Sequence, residues 1–324
     1  MRGRGGRAPL GGAAGPPGSD GSGGLRITFY GVRGSFPVAH PKVARVGGNT
    51  SCVAVRAEGA PTLVVDAGTG LRRLGEELVR EGFGEGGREG AFLFSHTHWD
   101  HIQGFMFFEP FFHPNRFSIH ARASHDRRLQ QIFAGQADRH YFGFGLDTFK
   151  AQLTWKAVQE GEEFAVGPFR IRTARLNHPG IALGYRIELD GKSFVYMTDT
   201  APYEDQLLGE GYHERKPDTD PEVLAEIARL GRALERFVEG ADLLLYDTFF
   251  TPEQYAQNPH WGHSTPDEGI RLARQGGVRR FYHFHHHPEA WDDELEARVR
   301  DYAERYGSEG LEIGLAREGE SVEL

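Results

Sequence analysis

The segment Ser95-His96-Thr97-His98-Trp99-Asp100-His101 sets four potential metal ligands inside six residues, directly after the apolar run Ala91-Phe92-Leu93-Phe94. His96 and His98 stand two apart on an extended segment leaving a strand, so their side chains point the same way. Asp100 and His101 then open a helical turn and can reach a second ion beside the first. Imidazole nitrogens with a carboxylate suit zinc, with manganese or iron as alternatives. A polar loop with solvated histidines is the bland alternative. The position immediately behind a buried strand argues against it.

Further ligand types recur downstream. His178 sits in Leu176-Asn177-His178-Pro179-Gly180, and Asp199 in Met197-Thr198-Asp199-Thr200. A lone His at a turn is commonly solvated, and a lone Asp after a strand is commonly a turn former or N-cap. Both residues, however, stand just past a strand end, as His96 does. The C-terminal part offers His263, His283, His285, His286 and His287. Arg280 to His285 reads as a last strand, on which His283 and His285 share a face while His286 and His287 lie beyond it.

Taken together, a cluster of the form HxHxDH followed by His, Asp and His resembles the metallo-β-lactamase superfamily, over nearly everything from Leu25 to about Glu289. The resemblance implies an α/β fold, an αββα sandwich of two mixed β-sheets flanked by helices, with two metal ions at one edge of the sheets. It implies that His96, His98 and His178 hold the first ion. Asp100, His101 and the final His hold the second, with Asp199 bridging. A Phe-His-His run followed by Pro assigns that final ligand to His285. Trp261-Gly262-His263-Ser264-Thr265 is similar to the His-Ser-Thr motif of the ribonuclease Z branch and its small phosphodiesterase relatives. There the His contacts the substrate phosphate or protonates the leaving group. His263 equally reads as a loop residue ahead of the helix N-cap Thr265, with Pro266 at the first helical position. Asp247 occupies the family position that supports this His, where a carboxylate on one ring nitrogen fixes its tautomer and raises its basicity. Asp66 looks like a carboxylate that orients a ligand His, with a plain turn role as its alternative. Asn49-Thr50-Ser51-Cys52 is a weaker substrate-contact candidate, and Phe107, Phe108 and Phe111 are either core or a pocket wall.

Two divalent ions ~3.5–4 Å apart can share a water and lower its pKa from about 15.7 towards ~7. The expected enzyme is a dinuclear-metal-dependent hydrolase, a phosphodiesterase that uses a metal-bridging hydroxide on a small or cyclic phosphodiester. His263 would protonate the leaving oxygen, and Asp100 would accept a proton from the attacking water. A thioesterase, lactonase or glyoxalase-II-like hydrolase needs the same ions without His263, and a non-catalytic metal-binding sensory domain is a third reading. In the family, secreted β-lactamases carry Cys in place of Asp199 and flavodiiron oxidoreductases carry Glu in place of His98. Bacterial ribonuclease Z carries a substrate-clamping arm between the third His and the bridging Asp, for which the interval from His178 to Asp199 has no room.

These side chains need elements to hold them. Strands are predicted at 25–30, 51–57, 62–65, 91–94, 194–197, 243–246 and 280–284, with 117–187 mostly strands. Helices are predicted at 69–80, near 124–134, and at 221–238, 266–275 and 292–306. The helix at 221–238 carries Val223, Leu224, Ile227, Leu230, Leu234 and Phe237 on one face behind an Asp220 N-cap. The polar, turn-rich stretch 203–218 reads as an exposed loop. Residues 1–24 read as a disordered Gly/Pro-rich tail, and 25–324 as one domain. Of the 324 residues, 39% are hydrophobic and 26% charged, which is the profile of a globular domain. No run approaches the ~20 apolar residues of a membrane span. Cys52 is the only cysteine, which excludes an intrachain disulfide and leads to a cytoplasmic expectation. The net charge of −9 argues weakly against a long nucleic-acid partner and for a small-molecule substrate. The resemblance adds a homodimer as a common assembly.

Overall fold

Along the first strand, Ile27 and Phe29 are buried in one apolar cluster while Tyr30 enters another. Both faces of this strand are therefore covered, and the same alternation recurs through two sheets. The computed structural model describes residues 24–123, 128–138, 140–204, 206–209, 211–214, 216, 218–307 and 310–324. The tail expected over 1–24 lies outside the described residues except for Gly24. In chain order the strands are β1 (Arg26–Gly31), β2 (Cys52–Arg56), β3 (Thr62–Val65), β4 (Glu89–Leu93), β5 (Arg116–Ala121), β6 (Gln152–Ala157), β7 (Glu163–Val166) and β8 (Phe169–Leu176). They continue as β9 (Ala182–Leu189), β10 (Lys192–Met197), β11 (Gln206–Leu208), β12 (Tyr212–Glu214), β13 (Leu243–Asp247), β14 (Arg280–Phe284), β15 (Glu312–Leu315) and β16 (Ser321–Glu323). The helices are α1 (Leu71–Leu78), α2 (Trp99–Ile102), α3 (Leu129–Gln136), α4 (Pro221–Val238), α5 (Pro252–Gln257), α6 (Pro266–Gln275) and α7 (Asp292–Tyr306).

One sheet has the order β16-β1-β2-β3-β4-β5-β6 and the other β15-β14-β13-β10-β9-β8-β7. Their inner faces meet through Ile27, Val53, Leu63 and Leu93 on one side and Ile171, Tyr185, Phe194 and Leu245 on the other. The outer face of the first sheet packs on α1 and on the ring cluster Phe105, Phe108 and Phe111. The outer face of the second packs on α4 and α6. The result is the expected layering of helix, sheet, sheet and helix.

Strand direction decides where the site can be. β3 to β6 run parallel, and β1, separated from β3 by the antiparallel β2, runs the same way. In the second sheet β10, β13, β14 and β15 run parallel, and β8 shares their direction across the antiparallel β9. The chain therefore leaves β1, β3 and β4 at one edge of the first sheet, and β8, β10, β13 and β14 at one edge of the second. Two bonds tie these edges together: Leu183 N–H to the Ser95 carbonyl at 2.8 Å, and the Tyr185 hydroxyl to the Phe94 carbonyl at 2.7 Å.

Several expectations change. The stretch 203–218 is not simply an exposed loop: it carries the β11–β12 pair, with Tyr203, Gln206 and Leu208 buried. The buried Asn177 side chain makes this tolerable by bonding the Pro202 and Gln206 carbonyls and the Leu208 N–H. β15 and β16, which close one end of each sheet, were not anticipated. The helix expected at 69–80 is α-helical only to Leu78, and a π-turn over Val79–Phe83 ends it, with Gly82 at φ 107°. The helix expected near 124–134 begins at Leu129, and its predicted start at 124–127 lies outside the described residues. Phe108 and Phe111 belong to the core rather than to a pocket wall. No helix among the described residues is long and apolar enough to cross a membrane.

His120 on β5 is buried and stacks on Phe164 of β7 across the sandwich, with ring centroids 4.8 Å apart. Burial, helped by Lys156, pushes its pKa down to about 4. In the unfolded chain it titrates near 6.5, so the neutral ring stabilises the fold above that pH, and the contribution is lost as pH falls towards 4. Between pH 7.5 and 5 the wild type is expected to lose about 2 kcal/mol more stability than His120→Phe. Denaturant midpoints across that range test this, and parallel curves for the two proteins refute it.

Candidate metal centre

β4 ends at Leu93, and Phe94 and Ser95 lead into the His96–His101 segment. Here His98 occupies the N-cap position of the one-turn helix α2, which contains Asp100 and His101. β8 delivers His178 two residues past Leu176, β10 delivers Asp199 two residues past Met197, and β14 delivers His285 directly after Phe284. These side chains converge. His96, His98 and His178 offer nitrogens within 4.8 Å of one another, and Asp100, His101, Asp199 and His285 form a second such group. Asp199 stands between the groups. One of its oxygens lies 3.9 Å from Nε2 of both His96 and His178 and 3.3 Å from Nε2 of His285, and the other lies 3.1 Å from Nε2 of His101.

The far nitrogens of the rings are tied down. His101 Nδ1 lies 2.8 Å from Asp66, His178 Nδ1 donates to the Gly262 carbonyl at 2.9 Å, and His285 Nδ1 lies 3.0 Å from the Ser51 hydroxyl. His96 Nδ1 lies 3.1 Å from the Ser95 hydroxyl. Such bonds fix ring orientation and turn Nε2 inward. Nε2 of His96, His101 and His285 are all buried without a directed hydrogen bond, although buried polar atoms are normally satisfied. Three imidazole nitrogens aimed at one buried carboxylate fit a divalent cation.

Electrostatics points the same way. Burial pushes the His96 pKa well below its ordinary value and His178 down to about 3, leaving neutral rings of the kind metals bind. For Asp199, burial alone would raise the pKa, but His101 and His285 outweigh it and hold the carboxylate ionised. For His101, burial would lower the pKa, but Asp100, Asp199 and Asp66 outweigh it and raise it well above its ordinary value, so these carboxylates favour a positive charge where a bound cation would stand. The pocket thus holds a surplus of buried negative charge that calls for cations.

Backbone strain gathers here too. Of the six non-glycine residues with positive φ among the described residues, four are Ser35, Asp66, Asp199 and His285. Asp and His tolerate this region better than most residues, and each of the four turns the chain sharply just past a strand. Ser35 thereby aims its N–H at an Asp100 oxygen, 2.8 Å away. Gly262 has φ 83°, and a Cβ there would stand 2.4 Å from His178 Nδ1.

Asp66 bonds the Ser95 N–H and hydroxyl, His101 Nδ1 and the Tyr196 hydroxyl, so it joins both sheets under the site. His263 Nδ1 lies 2.9 Å from the fully buried Asp247 and 3.9 Å from Asp199. Burial opposes its charged form, yet Asp247 and Asp199 raise its pKa. The other histidines stand apart. His283 lies on the outer face of the second sheet beside Phe281 and Tyr302, opposite to the face His285 takes once it has left the strand. His286 bonds the Ala316 carbonyl, and His287 packs on Phe249. Ser51 contacts His285, whereas Asn49 bonds Glu318 and Thr50 bonds Thr69, which is turn chemistry.

Residues 62–215 match the family model of the beta-lactamase superfamily domain. That stretch, just under half of the chain, is similar to the domain. The Ribonuclease Z of Myxococcus xanthus is 24% identical, over 79% of this chain and 85% of that protein. The metallo-beta-lactamase fold protein YhfI from Bacillus subtilis superposes with TM-score 0.63 at 21% identity, covering 93% of this chain and all of that one. A diphosphatase from the PhnP family superposes with TM-score 0.59 at 20% identity, covering 93% and 98%. The two sheets and their flanking helices are the metallo-β-lactamase fold, and the chain is a metal-dependent hydrolase of that fold.

One group of residues escaped the sequence reading. Phe36, Trp99 and Trp261 are exposed large aromatics, and each adjoins the site in sequence: Ser35, the His98–Asp100 pair and Gly262 are their neighbours. Trp99 within the ligand cluster was the available signal, since a large apolar side chain at a polar turn has no local reason to be there.

Asp66→Ala leaves four buried donors without an acceptor, and is expected to cost about 3–5 kcal/mol of stability. A denaturant midpoint corresponding to less than about 1 kcal/mol would show that the carboxylate does not tie the sheets together.

Proposed function

We propose that this chain is a dinuclear-metal phosphodiesterase acting on a small or cyclic phosphodiester. The observation that carries the reading is His263, held by Asp247 at 2.9 Å and placed 3.9 Å from the central Asp199. A thioester expels a thiolate that leaves without a proton and has little use for an acid so held, whereas the alkoxide released from a phosphodiester needs one. The Ribonuclease Z relatives support cleavage of a phosphodiester bond. They also keep RNA among the substrates to be tested, although β9 and β10 fill the interval from His178 to Asp199 and leave no inserted arm there.

In this reading His96, His98 and His178 would hold one ion and Asp100, His101, Asp199 and His285 the other. Zinc suits these donors first, with manganese or iron as alternatives. When bound, the ions supply Lewis acidity towards a phosphoryl oxygen and an acidified water. The side chains supply the rest. Asp100, oriented by the Ser35 N–H, accepts a proton from the attacking water. His263 hands its proton to the leaving oxygen, and Asp247 keeps its Nδ1 occupied so that Nε2 carries out the transfer. Trp99, Phe36 and Trp261 offer faces on which a planar substituent of the substrate stacks.

Turnover of a bis-aryl phosphate, a cyclic nucleotide, a short oligoribonucleotide, a lactone and a thioester by the metal-analysed protein is the deciding experiment. Activity confined to the lactone and thioester overturns the proposal. His263→Ala is expected to lower kcat on the phosphodiesters about 10²–10⁴-fold with metal content unchanged, and undiminished turnover removes the acid from the mechanism. Trp99→Ala is expected to raise KM for a cyclic nucleotide about tenfold while leaving kcat within about twofold. An unchanged KM refutes the stacking role.

A further inference from the structure

A second group of charged side chains lies away from the metal centre, on the outer face of the second sheet. There β8 and α4 enclose a cavity of about 330 Å³. Arg172 and Arg175 reach it from β8 and Arg229 and Arg236 from α4, while Glu160 is the only carboxylate in its lining. Glu188 and Glu226 pair with two of these arginines from outside the lining, so the four guanidinium groups meet three carboxylates in all.

The pairing of these arginines leaves donors over. Arg172 bonds Glu188 at 2.9 Å and Arg229 bonds Glu226 at 2.7 Å, each through part of its fork. Arg175 gives one N–H to the Leu208 carbonyl at 3.0 Å, and its Nε stands 4.0 Å from Glu160, beyond hydrogen-bond reach. Nε of both Arg172 and Arg175 are buried without an acceptor. Arg236 forms no ion pair among the described residues. A guanidinium presents five donors in a rigid fork matched to the oxygens of phosphate, and burying such donors unmet is costly.

We propose that this cavity is an oxyanion site for a phosphate-type group, distinct from the metal centre. Such a group can belong to a free anion or to a phosphate further along an extended substrate. The position makes either source relevant to the reaction. Arg175 precedes His178 by three residues, about 10 Å of strand. Leu208, whose carbonyl takes the Arg175 bond, has its N–H bonded to the Asn177 side chain beside His178.

The test uses the full chain with its metal and two variants. In Arg229→Gln/Arg236→Gln the exposed pair is removed, so folding is spared. In Arg175→Gln the enclosed member is removed, and its thermal unfolding is checked alongside. Calorimetric titration with pyrophosphate at constant ionic strength should show a site in the wild type that weakens about tenfold or more in each variant. The difference between proteins separates this cavity from the metal centre, which all three share. KM values for an oligoribonucleotide and for a bis-aryl phosphate then identify the source. A rise for the oligoribonucleotide alone assigns the phosphate to an extended substrate, and unchanged KM values with lost pyrophosphate binding assign it to a free anion. Pyrophosphate binding that is equal in wild type and variants, or absent from the wild type, overturns the proposal. None of these binding results depends on whether any phosphodiester is cleaved.

Discussion

Asp66, Asp100 and Asp199 are three carboxylates buried within reach of a single imidazole, His101, and the cost of burying them constrains the rest of the molecule. Each must be matched by donors in a fixed direction, and together they exceed the positive charge that His101 alone provides. The fold answers the first demand with backbone and hydroxyl groups, notably the Ser35 and Ser95 N–H and the Tyr196 hydroxyl. It leaves the second demand to cations. Shared direction among β1, β3, β4, β8, β10, β13 and β14 then becomes a necessity, because only strand ends at one edge bring so many distant residues to one point.

A physical division of labour follows from this arrangement. The inner faces of the sheets are apolar and carry the stability, while the chain segments just beyond the strands carry charge and strain. Left-handed backbone at Asp66, Asp199 and His285 is sustained because the sheets behind those residues are rigid. Asp247 extends the same logic to His263, where a carboxylate at a strand end orients a ring contributed by the loop ahead of α6.

Much of this was legible in the residues. The His96–His101 spacing marked residues that the fold draws together with His178, Asp199 and His285, and the apolar periodicity of 221–238, with Asp220 as its cap, located α4 to the residue. The capped starts of α4 and α6 are local events, written in neighbouring residues, so sequence exposes them. What stayed hidden depends on distant partners. Residues 203–218 look like solvent-facing loop until Asn177, far away in the chain, takes up their backbone groups. β15 and β16 are short and weakly patterned, and become strands because β14 and β1 offer them free edges. Arg172, Arg175, Arg229 and Arg236 form no run in the sequence and gather only when β8 meets α4. Cluster arguments from net charge fail for the same reason: an acidic total says nothing about local excess.

β16 hydrogen-bonds to β1, so nearly 300 residues separate two neighbouring strands of one sheet, as in the pairing of Arg26 with Glu323. A ribosome makes the first of these strands long before the other exists. Until then β1 presents a bare edge, and β14, which leads into His285, waits likewise for β15. In order of synthesis the second sheet's strands appear edge to edge from β7 to β15, whereas the first sheet has all of β1 to β6 before β16 exists to cover the β1 edge. Loop-closure entropy makes such late, long-range pairing slow. Until β16 arrives, the edge of β1 is where the backbone of another chain can pair.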